Sequence, residues 1–211
     1  MDRAWINLKN VLAKWIKDNK NVLLIALIAG FVCHIYGITN MLGGDDRILN
    51  YYTGKPTIEQ ALQRANSGRW LASIVELGLG WYKSPVVTGF LTIIIMAFSA
   101  IFYSEIFGIK DDLKRSLVAI VFEVFPAVCV FITLAPDTFS YGVSFLACNL
   151  AMYLLVKSSK MKTIICAIGV LFLGLSLWLP NISAVLMTLI YYVLYQILIE
   201  QKESGMIAFF Y

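Results

Sequence analysis

The sequence predicts an all-α, polytopic membrane protein: about six transmembrane helices, an N-terminal interfacial helix and a helical first outer loop. Two observations carry this. Hydrophobic residues make up 60% of the 211 and charged residues 14%, with a positive mean hydropathy, which lies outside the range of soluble domains and inside that of multispanning proteins. The apolar residues also fall in runs of the roughly 20 residues needed to cross a bilayer.

Residues 1–21 come first. Trp5, Leu8, Leu12 and Trp15 share one helical stripe, with Lys9, Lys17 and Lys20 elsewhere, as in a helix lying in the interface. The segment is too long and too amphipathic to be the charged start of a signal peptide. Six apolar runs follow, at about 22–39, 85–107, 116–135, 138–156, 163–179 and 182–199. Between the first two lies an outer loop, 40–84, where Thr57 and Gln60 form a capping-box pattern and Asn66, Ser67 and Gly68 form a stop, so a short helix is expected. The stretch after it, with Trp70, Leu71, Ile74, Val75 and Leu77, reads as a segment on or in the outer leaflet, ended by Pro85 at the second span. Residues 1–211 read as a single membrane domain. Spans one to three do not resemble spans four to six, which weakens a repeat-built transporter.

Lysine and arginine set the orientation. Five lie in the N-terminal segment, three in "IKDDLKR", three in "KSSKMK" and one in "EQKES", all on one side if six spans alternate. By the positive-inside rule that side is the cytoplasm, so the N-terminus is cytoplasmic. The net charge of +4 sits in these anchoring clusters, and no nucleic-acid surface is indicated. Cys33, Cys129, Cys148 and Cys166 lie in apolar runs without C-x-x-C spacing, so they read as small packing residues rather than zinc ligands or disulfides.

The residues able to bear chemistry are few. Asp45 and Asp46 follow the first span directly in "GGDDR". A carboxylate there can take a proton from a sugar hydroxyl or bind a cation, and equally can be turn chemistry after glycine. Arg69, with Arg47 and Arg64 near it in sequence, can hold a phosphate through a guanidinium; beside Trp70 it can also be a plain interfacial anchor. Glu123 stands well inside the third span, where an ionisable group is costly enough to be a functional candidate by default, against a hydrogen-bonded structural glutamate near Pro126. Asp137 can cap the fourth helix or complete an outward acidic site with Asp45 and Asp46. The lone His34 reads as a packed polar residue, and Glu105 is near enough to its helix end to snorkel. No P-loop or G-x-G-x-x-G in the required context is present, so a nucleotide or nucleotide-sugar site is unsupported.

In the order "GGDDRILNYY", "SGRWLAS", "FEVFPAVCVF" and "PDTFSYGVSFLACNLAMYLL", the chain resembles the glucosyltransferase II family of polytopic membrane proteins over roughly residues 22–200. The resemblance implies a C-type glycosyltransferase: a helical membrane body, an acidic residue in the first outer loop and a polyprenyl-phosphate-linked sugar as donor, with no nucleotide fold. It implies that Asp45 or Asp46 is the catalytic base and that Arg69 stabilises the leaving lipid phosphate; Arg69, Arg47, Glu123, Asp137 and Tyr141 are the expected substrate-binding residues. It further implies glucose as the hexose and a cell-envelope polysaccharide such as O-antigen as acceptor, in a bacterial inner membrane. No cofactor is called for, and a divalent metal has no support in the residues. Members of this family are commonly much longer, and "GMIAFFY" looks like a fresh apolar start, so a fragment or shortened member is expected. Two other functions compete: an ion-coupled transporter or flippase-like protein using Glu123 and Asp137, and a catalytically silent membrane assembly partner.

Overall fold

The computed structural model describes residues 2–40, 62, 65–78, 85–126, 128 and 138–198. Every regular element among them is helical: α1 (Asp2–Asp18), α2 (Lys20–Asn40), α3 (Trp70–Gly78), α4 (Pro85–Ile106), α5 (Asp112–Val124), α6 (Thr138–Lys157), α7 (Met161–Leu177) and α8 (Asn181–Leu198). Four of these, α2, α4, α6 and α8, are long and apolar enough to cross a membrane. The chain is thus a polytopic helical membrane protein. Helix α7 is as apolar but only 17 residues long. At 1.5 Å per residue that is about 25 Å, a few ångströms short of the hydrocarbon layer, a mismatch that tilt of its neighbours or local thinning absorbs.

Four expected spans lie within two residues of the observed helices, and the first, expected at 22–39, begins two residues early and ends one late. The third differs. Expected at 116–135, its helix opens at Asp112, because Asp111 caps it by accepting a hydrogen bond from the Leu113 N–H at 3.2 Å. Apolar content alone does not register that polar first turn. Regular helix stops at Val124, and Phe125 is extended at φ −60°, ψ 132°. The cause is Pro126, whose ring disfavours α geometry in the residue before it. Beyond Pro126, only Val128 of this span is among the described residues.

The amphipathic helix is joined to the first span almost without a break. At Asn19 the i to i−4 ladder continues, with the Asn19 N–H on Trp15 O at 3.1 Å and the Leu23 N–H on Asn19 O at 2.9 Å. The Asn19 side chain adds a second donor to Trp15 O at 2.8 Å.

Packing runs α5 to α2 to α4 to α6 to α7, with α8 also on α6 and α3 on α7. One core joins Val22, Leu23 and Ala26 of α2 to Ala97, Ala100 and Ile101 of α4 and Ala119 of α5. Alanine recurs there because small residues let membrane helices approach closely, where dispersion replaces the missing hydrophobic drive. The same logic brings α6 against α7: a Cβ on Gly174 would lie 3.1 Å from Ala147 Cβ and 3.2 Å from Ser144 O. The outward faces carry the opposite residues, Val32, Ile168, Phe172 and Leu186 among them, all exposed. In a bilayer these meet lipid.

At the end of the bundle with the short basic links, Trp15 lies stacked on Phe98 and Phe102 of α4 at 5.8 and 5.2 Å. Its indole N–H donates to Glu105 Oε1 at 3.1 Å. Arg115 of α5 stands 3.7 Å from the same carboxylate and also donates to Asn19. Glu105 therefore ties three helices together rather than simply snorkelling.

Candidate functional site at the far end of the bundle

The end remote from the basic links gathers Arg69, Trp178 and Tyr141. Arg69 is delivered by a tight turn: Gly68 N–H closes on Ala65 O at 3.0 Å, and Gly68 has φ +81°. That left-handed conformation favours glycine because it lacks a Cβ. Helix α3 then starts at Trp70 and rests on α7, with the Trp70 and Phe172 rings 6.4 Å apart. The expected stop at Gly68 is therefore observed. The Thr57 cap lies outside the described residues.

From this turn the Arg69 guanidinium carbon lies 4.8 Å from the Trp178 ring centroid. A cation over an indole face is attracted by the ring quadrupole, by about 0.5–2 kcal/mol depending on desolvation. The Arg69 Nε also donates to Ser67 Oγ at 3.3 Å. On the other side, Tyr141 of α6 meets Trp178 edge-on at 6.0 Å and stacks on Phe145 at 6.0 Å. Two residues far apart in sequence, both expected at a site, thus converge on one indole. Ser67, Arg69, Trp178, Leu179, Pro180 and Ile182 line an open pocket of about 440 Å³ there. Among the described residues it presents one guanidinium and largely apolar walls.

Beneath the pocket a buried polar relay holds α6, α7 and α8 in register. Ser144 Oγ donates to Gly174 O at 2.7 Å and accepts from Asn181 Nδ2 at 2.8 Å. This fixes the turn that carries Trp178 and Pro180. Sequence reasoning missed Trp178, Ser144 and Asn181. For Trp178 the signal was present in "WLPN", an aromatic at a span end; for the Ser144 and Asn181 pair, no linear spacing announces a contact across 37 residues.

Glu123 occupies a different place. Its side chain is wholly buried, at 0% exposure, and neither carboxyl oxygen has a hydrogen-bond partner among the described residues. It lies against α2, where a Cβ on Gly30 would be 2.8 Å from Glu123 Oε2 and 2.7 Å from Ile93 Cγ2. One turn on, His34, 3% exposed, bonds through Nε2 to the Glu123 backbone carbonyl at 2.7 Å. His34 is indeed a packed polar residue, and it ties α2 to α5. Glu123 thus shares its surroundings with Gly30, His34 and Ile93, whereas Arg69 and Tyr141 meet at Trp178. Asp45, Asp46, Arg47 and Asp137 lie outside the described residues. Among the described residues, no group of three His, Cys, Asp or Glu could hold a metal ion.

A family model described as Glucosyl transferase GtrII matches residues 35–211. The chain belongs to this family. Membership makes it a membrane glucosyltransferase by family, and the match spans every candidate residue from Asp45 to Tyr141. No curated protein and no solved structure matches it.

Proposed function

We propose that this GtrII-family protein moves glucose from a polyprenyl-phosphate donor to a cell-envelope polysaccharide, such as O-antigen, at the outer face of a bacterial inner membrane. In this reading the architecture is C-type and the N-terminus is cytoplasmic, so the Arg69–Trp178 pocket faces outward. Asp45 or Asp46 takes the proton from the acceptor hydroxyl as its oxygen attacks the anomeric carbon. The bond from that carbon to the phosphate oxygen breaks, and the electron pair leaves with the lipid phosphate. Arg69, with Arg47, answers the charge that develops on it, while Tyr141 and Asp137 shape the sugar site. A single displacement inverts the anomeric centre.

The observation that carries this reading is the Arg69 guanidinium held at an open, mostly apolar pocket beside Trp178 and Tyr141. A lipid phosphate needs both halves of that environment, a forked cation and an apolar approach. The test is transfer in proteoliposomes containing the purified protein, labelled polyprenyl-phosphate glucose and isolated envelope polysaccharide. Label moving to polysaccharide with the unaltered protein and not with Asp45→Asn/Asp46→Asn is the expected result. Undiminished transfer by the double variant would remove both carboxylates from the mechanism.

One observation favours a second reading. The enclosed carboxylate of Glu123, without a hydrogen-bond partner among the described residues, suits an ion-coupled transporter, in which intramembrane acids carry the coupling. That reading predicts an activity abolished by Glu123→Gln and indifferent to Asp46→Asn.

A further inference from the structure

At the opposite end of the bundle, beneath the link between α4 and α5, a second and larger cavity of about 580 Å³ opens between α4 and α8. Three phenols enter it, Tyr103 from α4 and Tyr191 and Tyr195 from α8, with Lys110 and Lys114 at its mouth. Phe107 forms its inner wall, edge-on to Tyr195 at 5.9 Å and 5.0 Å from the Tyr103 ring. Gly108, in the link that carries Lys110, has φ +64°, a left-handed conformation that favours glycine. Asp111 is the single acidic residue among the described residues of the lining, and one of its carboxylate oxygens is engaged by the Leu113 N–H at the start of α5. Arg115 points elsewhere, to Glu105 and Asn19.

We infer that this cleft is a binding site for the phosphate headgroup of an anionic membrane phospholipid. Its place decides the occupant: the cleft lies where two span-length apolar helices, α4 and α8, reach the basic end of the bundle, and helices of that length end at the headgroup layer of a bilayer. Two ammonium groups and three hydroxyl donors match a phosphodiester, and the aromatic wall matches the glycerol and the first acyl carbons. Basic pockets between transmembrane helices on the cytoplasmic side recognise acidic headgroups in this way. The inference is independent of the Arg69 pocket and of the transfer chemistry. A lipid here would fasten α8, the least buried of the long apolar helices, to the link before α5.

Native mass spectrometry of the purified full chain, titrated with phosphatidylglycerol and with phosphatidylcholine of the same acyl chains, tests the site. Phosphatidylglycerol is expected to bind more tightly than phosphatidylcholine. Lys110→Ala/Lys114→Ala should weaken it about 30-fold, the effect of two lysines at about 1 kcal/mol each. A control of equal charge, Lys160→Ala/Lys162→Ala on the other basic link, should leave it unchanged. Equal binding of the two lipids, equal loss in the control, or no loss in the first variant would each overturn the assignment. Should that variant fail to fold, Tyr191→Phe/Tyr195→Phe decides: a several-fold loss of phosphatidylglycerol supports the site, and unaltered binding contradicts it.

Discussion

A methyl group at position 30 would have to displace Ile93 or the Glu123 carboxyl, both under 3 Å from where it would stand. Gly30→Ala should therefore lower stability by about 1–3 kcal/mol, as overpacking of a closed core does. Thermal unfolding in detergent checks this against Gly169→Ala, a position with nothing within 4 Å of the added carbon, which should be neutral or mildly stabilising. Ser144→Ala removes the acceptor of the Asn181 amide and the donor to Gly174 O. Because a buried donor then lacks a partner, a cost of about 1–3 kcal/mol is expected in the same assay. At the pocket, Arg69→Ala should reduce transfer about 10- to 100-fold, the worth of a charge-assisted contact. Arg69→Lys should recover only part of it, since an ammonium has neither the planar fork nor the same stacking on Trp178. Full recovery by lysine would reduce the role of Arg69 to a point charge.

At the scale of elements, the apolar runs were legible because membrane spans announce themselves by length and composition, and five of the six expected spans match observed helices closely. The failures have local causes. The start of α5 is set by a polar cap at Asp111, and its stop by the backbone restriction that Pro126 imposes on Phe125. The site was half legible. Arg69 stood out as a charge beside Trp70, and Tyr141 entered only with the family resemblance, but their meeting point, Trp178, is a property of how α3, α6 and α7 assemble. No period in the sequence encodes that. The basic clusters predict the orientation of these elements, and two exposed serines test it in a background with the native cysteines replaced. Ser67→Cys should react with a membrane-impermeant maleimide from outside intact cells, and Ser159→Cys only after permeabilisation. The reverse pattern would put the Arg69 pocket in the cytoplasm and end the proposed reaction there.

For the whole molecule, burial grades across the bundle. Half of the apolar window of α4 is buried, against 17% of that of α8. Helix α4 is thus the central post, touching α2, α5 and α6, while α8 leaves most of its surface uncovered by the described residues. The two pockets lie at opposite ends of this frame, one with a guanidinium among apolar walls and one with lysines among phenols. The central claim is that the far end of the bundle transfers glucose to an envelope glycan. Its most direct test is the mass of envelope polysaccharide from cells with the gene, without it, and with the Asp45→Asn/Asp46→Asn variant verified in the membrane. One added hexose per modified repeat is expected with the unaltered protein alone. An identical polysaccharide with and without the gene, or an increment that survives the double substitution, would contradict it.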